Sequence, residues 1–331
     1  MVTIAINGFG RIGRQAFKVA MSKKNVKVVA INDLTDTKTL AHLLKYDTAY
    51  GQYDKEVSFD EKNLVVAGKK IPVFAEKDPK ALPWGKLKVD VVLECTGRFT
   101  KKEDAELHIA AGAEKVIVSA PAKGGVPTYV MAVNSEKVKG ESSKVINNAS
   151  CTTNCISPVM AVLEEEFGIE KAMMTTVHGY TADQNLQDGP HKDLRRARAA
   201  AQNIVPTTTG AALATTEAIP VLAGKFDGLA IRVPVPTVSL SDITAVLKKT
   251  VTKEAINQAL EKAAASARFK GILLCTNEPL VSSDFVGNTA SSIVDLSLTN
   301  VVGGNLVKVV AWYDNEVGYA HRLVEMAELF R

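Results

Sequence analysis

An α/β fold in two parts is predicted by this sequence, on three observations. The 331 residues, 46% of them hydrophobic, supply more core than one typical domain uses. The first half opens with a short apolar strand, a glycine turn and a helix, in that order. The second half is strand-rich, an α+β pattern suited to a largely antiparallel sheet. The expected domains are 1–150 and 151–314, followed by a C-terminal helix at 315–331.

The first strand is VTIAIN (2–7), β-branched and apolar. GFGRIG follows, then RQAFKVAM with apolar residues at helical spacing. Gly8, Gly10 and Gly13 thus form G-x-G-x-x-G between a strand and a helix. Gly8 permits the tight turn, Gly10 lets the backbone approach a pyrophosphate, and Gly13 lets helix and strand pack closely. The helix N-terminus offers free N–H groups and partial positive charge to the phosphates. A second strand, VKVVAIN (26–32), ends at Asp33. A carboxylate there can accept hydrogen bonds from both ribose hydroxyls and repels a 2′-phosphate, which favours NAD over NADP. The first domain is therefore a Rossmann-type dinucleotide-binding domain.

The region 47–87 is more polar and alternates as V-x-V and I-x-V, predicting short antiparallel strands. VDVVLECTG (89–97) reads as a buried strand, KKEDAELHIAAGA as a helix, and KVIVSAP (115–121) as another strand. Their ends, at Thr96-Gly97 and Ser119-Ala120, belong on the carboxyl edge of a parallel sheet, where a dinucleotide binds.

After KVIN (144–147) comes ASCTTNC, at 149–155. Ile156, Val159, Met160 and Leu163 recur at helical spacing, Ser150 or Asn148 can cap, and Gly168 can stop the helix. Pro158 conflicts with this pattern and should bend the helix or delay its start. The C-x-x-x-C pair lacks zinc or redox spacing, so no metal is expected. Only four cysteines are present and no signal segment precedes the first strand, which favours reduced thiols and a cytoplasmic location over a disulfide framework. Cys155, Cys95 and Cys275 are assigned to packing. Cys151 differs, because the first turn of a helix stabilises a thiolate. Of five histidines, His178 ends the apolar run MMTTVHGYT and enters a glycine-bearing loop, where a catalytic base could stand. Whether the two meet in space is not readable from spacing alone.

Net charge is +4 with both signs interspersed, a bias suited to small anions rather than nucleic acid. The basic run RRAR (195–198) is short, flanked by Asp193, and lacks interleaved aromatics. No apolar stretch reaches membrane-spanning length.

Seven segments together carry a resemblance: NGFGRIGR (7–14), ASCTTNC (149–155), HGYTADQ (178–184), PHKDLRRARAA (190–200), PTTTGAA (206–212), RVPVPTVS (232–239) and WYDNEVGYAHR (312–322). In order and over essentially the whole chain, they resemble the glyceraldehyde-3-phosphate dehydrogenase family. The resemblance implies oxidation of D-glyceraldehyde 3-phosphate to 1,3-bisphosphoglycerate with NAD and inorganic phosphate. Cys151 would be the nucleophile and His178 its base. Thr181, Asp183 and Arg232 would serve the substrate phosphate, with Asp183 orienting Arg232 or acting through its backbone. Ser150, Thr152, Thr209 and Gly210 would serve inorganic phosphate, with Arg195 near both. Asn7, Phe9, Arg11 and Ile12 would accompany Gly8, Gly10, Gly13 and Asp33 around the cofactor. Leu34, Lys77, Thr96, Gly97, Ser119, Asn315 and Tyr319 would complete that site. The family's NAD-selective D-L-P-H appears as Asp188-Gly189-Pro190-His191; the resemblance then implies a missing apolar wall beside the ribose and a weaker selection of NAD over NADP. A homotetramer is implied by the long loop after His178. Erythrose-4-phosphate dehydrogenase is the sister alternative. An adhesion or binding role, or a cofactor-binding regulator without chemistry, represents a different class.

Overall fold

The computed structural model describes all 331 residues. They form two compact units, Met1–Tyr129 with Ser135–Ala149 and Ala320–Arg331, and Val130–Asn134 with Ser150–Tyr319.

The first unit is built on an eight-stranded sheet. Five of its strands, Val145–Asn147 at one edge, then Lys115–Val118, Val91–Glu94, Val2–Asn7 and Val26–Asn32, pair in parallel. Their near-continuous Val/Ile/Leu runs suit strands covered on both faces. Lys69–Phe74 joins in parallel beside Val26–Asn32, and Asn63–Val66 and Val57–Phe59 extend the edge antiparallel, as alternation predicted. The helices Arg11–Ser22, Thr37–Lys45 and Lys102–Ala110 connect these strands. Asp36 starts the second helix by accepting the Thr39 N–H at 2.9 Å, satisfying an otherwise orphan donor.

The second unit carries a sheet ordered Val205–Thr208, Phe226–Val233, Ile169–Gly179, Ser239–Leu247, Leu306–Tyr313, Ser292–Asp295, Leu273–Thr276. Most pairs are antiparallel, and two are parallel: Ile169–Gly179 with Phe226–Val233, and Leu273–Thr276 with Ser292–Asp295. Ser239–Leu247 alternates buried with half-buried residues, the period of a strand with one face on a core. The helix Cys151–Phe167 joins that core. Cys155, Ile156, Val159, Met160 and Leu163 are fully buried in one apolar cluster with Ile243, Leu247 and Val309. At roughly 1.5–3 kcal/mol for each large apolar side chain buried, this stripe anchors the helix.

Ser150 is the cap of this helix, its hydroxyl accepting the Thr153 N–H at 3.1 Å, and Gly168 ends the helix at φ +69°. Pro158 neither delays nor divides it: the helix runs through from Cys151 to Phe167. Pro158 is itself buried, so packing of the helix into the core outweighs the loss of one backbone hydrogen bond. At the other end of the chain, Asn315 does not cap the last helix, Val317–Phe330. The Asp314 carboxylate closes the turn before it, accepting the N–H groups of Glu316 and Val317 at 2.9 Å each.

Candidate active site

In the first unit, the ends of the central strands surround a cavity of about 540 Å³. Asn7, Gly8, Gly10, Asp33, Leu34, Lys77 and Thr96 line it, as expected from sequence. Asn32, Glu76, Cys95, Arg98 and Phe99 line it as well, and sequence reasoning had passed over them. Cys95 was assigned to packing; it is instead half-buried on the cavity wall, because it lies just past the strand end, where the chain leaves the sheet.

The glycines take the forms their roles require. Gly8 has φ +91°, and a Cβ there would stand 2.7 Å from the Thr96 nitrogen. A Cβ on Gly13 would stand 2.0 Å from the Gly8 carbonyl oxygen, so helix and turn are in direct backbone contact. A Cβ on Gly10 would meet nothing within 4 Å, leaving space for a group to approach the backbone. Asp33 accepts the Phe9 N–H through one oxygen at 2.7 Å and the Thr35 N–H through the other at 2.9 Å. Each oxygen keeps acceptor capacity for a ribose hydroxyl. The residues fit a dinucleotide.

Phe9, Arg11, Ile12, Gly13, Gly97 and Ser119 do not line this cavity. The Phe9 side chain is buried edge-on against Phe17, leaving only its backbone toward the turn. Arg11 pairs with Asp47 at 2.7 Å and lies over the Tyr50 ring. Gly13 serves packing. The Ser119 hydroxyl engages Cys95.

In the second unit, strand Ile169–Gly179 delivers His178 to the first turn of the Cys151 helix. Cys151 Sγ lies 3.5 Å from His178 Nε2. His178 Nδ1 lies 2.6 Å from the Gly179 carbonyl oxygen, which can only accept. The shorter contact, to an oxygen that can only accept, places the ring proton on Nδ1 against a longer 3.1 Å approach of the Arg232 guanidinium, which can only donate, and Nε2 then turns its lone pair to the sulfur. Arg232 Nη1 sits 3.1 Å from Nδ1 and donates to the Gly179 carbonyl and the Thr181 hydroxyl, both at 3.2 Å.

Burial pushes the Cys151 thiol up, against the pull of Arg232, of Thr152 and of the helix's first N–H groups. Desolvation thus opposes the ionisation expected from the helix terminus. Burial and the Arg232 charge together push His178 down to about 3. Both shifts favour the uncharged pair, a thiol facing a neutral imidazole, over the ion pair. A proton moved between them creates charges that offset each other, which burial opposes less than either ion alone.

The anion-binding candidates divide. Arg232 is largely buried, has no carboxylate partner, and keeps Nε without a hydrogen bond. A buried guanidinium without a counter-ion is costly, and an incoming phosphate would relieve it. Thr209 and Gly210 precede the helix Ala211–Ala218, and Ser150 precedes the Cys151 helix, so both places present helix N-termini. Thr152 departs from expectation: its hydroxyl is buried and bonded to the Tyr313 hydroxyl at 2.8 Å, which also reaches Thr176 at 2.7 Å. Asp183 does not orient Arg232. Its carboxylate pairs with Arg196.

Arg195 likewise is corrected in favour of its neighbour. Arg195 is exposed and reaches only the Pro206 carbonyl, at 3.5 Å. Arg196 turns inward, its Nε donating to Thr207 Oγ1 at 2.9 Å and its Nη2 to the Thr208 carbonyl at 3.0 Å. Its charge also bears on His178 and Arg232. Adjacent arginines on an irregular loop have no periodicity to say which faces in. In the folded chain Arg196 lies against Thr207 and Asp193, which are themselves bonded at 2.6 Å. Asn315 is buried, its carboxamide oxygen accepting the Ser239 hydroxyl at 3.0 Å, and Tyr319 is buried two residues into the last helix.

A dinucleotide-binding unit joined to one that presents a cysteine against an imidazole describes an NAD-dependent oxidoreductase. Comparison with known proteins specifies which. Residues 2–102 match the NAD binding domain of glyceraldehyde 3-phosphate dehydrogenase, and 150–315 match its C-terminal domain. The glyceraldehyde-3-phosphate dehydrogenase of Geobacillus stearothermophilus is 58% identical over 326 residues, 98% of this chain and 97% of its own. That of Streptomyces coelicolor is 55% identical over 326 residues, again 98% and 97%. That of Clostridium acetobutylicum is 53% identical over 335 residues, 100% of this chain and 98% of its own. The chain belongs to the glyceraldehyde-3-phosphate dehydrogenase family.

Proposed function

We propose that the chain oxidises D-glyceraldehyde 3-phosphate with NAD and inorganic phosphate to an acyl phosphate, working through Cys151. The observation that carries the mechanism is the free lone pair of His178 Nε2, 3.5 Å from Cys151 Sγ. Nε2 takes the thiol proton as sulfur adds to the aldehyde carbon and returns it to the new alkoxide, giving a hemithioacetal and a neutral imidazole. His178 next accepts the hemithioacetal hydroxyl proton. NAD, when bound by Asn7, Gly8, Gly10, Asp33 and Thr96, supplies the hydride acceptor. The sulfur is left as a thioester, which phosphate attacks to release the acyl phosphate and regenerate the thiol. The Gly179 carbonyl keeps the imidazole in the useful tautomer throughout.

Arg232 and Thr181 bind the substrate phosphate in this reading. Ser150, Thr209 and Gly210 bind the attacking phosphate, and Arg196 takes the role first given to Arg195. Steady-state NAD reduction with and without phosphate, on the three-carbon and four-carbon phospho-aldehydes, tests it. Turnover independent of phosphate would remove the phosphorolysis step, and preference for the four-carbon aldehyde would favour the sister activity.

A homotetramer fits this reading. The catalytic sheet exposes Met173, Leu229 and Leu306 around a shared hollow, and the loop after His178 exposes Leu186 and Leu194. A lone chain seldom leaves so much apolar surface in water. Sedimentation at a monomer mass would overturn it. A cytoplasmic setting is supported by four free thiols. No helix is long and apolar enough to cross a membrane.

A further inference from the structure

Beneath the glycine turn lies a buried polar chain that the reaction does not use. Glu94, at the end of strand Val91–Glu94, is 1% exposed. One carboxylate oxygen accepts the Thr96 N–H at 2.8 Å and the Thr96 hydroxyl. The other accepts the Asn7 side-chain N–H and faces His108 Nε2 at 3.1 Å. His108 is itself fully buried, and Trp84 Nε1 donates to its Nδ1 at 3.0 Å. An indole nitrogen can only donate, so Nδ1 is the acceptor and the ring proton sits on Nε2. His108 therefore donates to Glu94.

The count of partners is complete. Four donors meet one carboxylate, and no cation takes part. The chain runs on from Asn7, whose oxygen accepts Asn32 at 2.7 Å, and from Asn32 to the backbone of Glu76. Four of the residues it fixes (Asn7, Asn32, Glu76 and Thr96) line the cofactor cavity on both sides of Gly8. The gap between those sides is tight, since the Cys95 N–H bonds the Asn7 carbonyl at 2.7 Å.

We propose that Glu94, held by His108 and Trp84, is a positioning residue of the NAD site. It acts through Asn7 and Thr96, setting their orientation and the width of the cleft between them. Hydrogen-bond arithmetic makes it specific. Glutamine has the same shape but one accepting oxygen, so in Glu94→Gln two of the four donors would face an N–H. The proposal rests on the cofactor reading of this cavity, and titration of the wild-type chain with NAD checks that reading separately.

The test compares Glu94→Gln, His108→Leu and His108→Gln by NAD titration and by steady-state kinetics on the full chain. Glutamine at 108 can place an N–H where imidazole Nε2 stood; leucine fills the space without one. Glu94→Gln and His108→Leu are expected to raise the NAD dissociation constant about tenfold or more, the cost of misplacing one buried hydrogen-bonded group. The Michaelis constant for the aldehyde should stay within twofold, and His108→Gln should recover most of the lost NAD affinity. A role confined to folding would lower the melting temperature of the NAD-free chain while leaving its NAD affinity within twofold, and that result overturns the proposal. So does a His108→Gln variant that binds NAD no better than His108→Leu.

Discussion

His178 holds its ring proton on the Gly179 carbonyl at 2.6 Å, and so offers Cys151 a bare nitrogen at 3.5 Å. The base is preset by one backbone oxygen, which no side-chain substitution removes. His178→Asn should therefore lower turnover by about 10²–10⁴-fold, the range for loss of a positioned acid–base group. Cys151→Ala should abolish aldehyde oxidation. A residual rate above one hundredth of wild type in the Cys151 variant would place the nucleophile elsewhere.

The two adjacent arginines can be told apart. Arg196→Leu, which severs ties to Asp183, Thr207 and Thr208, is expected to raise the Michaelis constants for aldehyde and phosphate at least tenfold. Arg195→Leu, on an exposed side chain, should change them less than twofold. Kinetics of both variants side by side provide the check, and the reverse ranking would restore Arg195 to the site.

Thiol reactivity should follow burial. Cys155 is fully buried, with its thiol pushed up to about 12. Cys275 is also pushed up to about 12. Cys151 is half-buried, has a neighbouring base, and should alkylate first. Because burial raises its thiol too, the thiolate fraction grows as pH rises, and its alkylation should keep accelerating above neutrality. Peptide mapping after timed alkylation at several pH values tests this. Equal labelling of Cys155 would contradict the packing described.

Acid sensitivity has a defined sign. His178 is pushed down to about 3 and His321 to about 4, both mainly by burial. Between the ordinary histidine value near 6.5 and those values, the unfolded chain binds protons that the folded chain refuses. Their contribution to stability is complete above roughly pH 6.5 and is lost as pH falls from there toward 4. For His178 the slope is up to about 1.4 kcal/mol per pH unit. Urea midpoints should drop between pH 7 and pH 5, and less so in His321→Asn. Equal midpoints at both pH values would refute this origin.

Much of the fold could be read from period and punctuation. The strand at 26–32, the glycine turn and the Cys151 helix each combine an apolar pattern with a local stop or start signal. Reading failed where a side chain's direction is set by distant partners. Thr152 turns to Tyr313 and Asp183 to Arg196, across separations that spacing cannot encode. Phe9 stands inside a glycine motif, yet packs on Phe17 because the turn points its side chain away from the cavity. Glu94 and His108 looked like the end of a strand and part of a helix. Their pairing exists only once the sheet and helix are assembled.

The isolation of Arg232 bears on how the protein is handled. A cation enclosed by protein with no acidic companion draws on whatever dianion the buffer contains. Sulfate and phosphate should raise the melting temperature with the logarithm of their concentration, while chloride at equal ionic strength should not. Stabilities compared across laboratories would then report the salt recipe as much as the polypeptide.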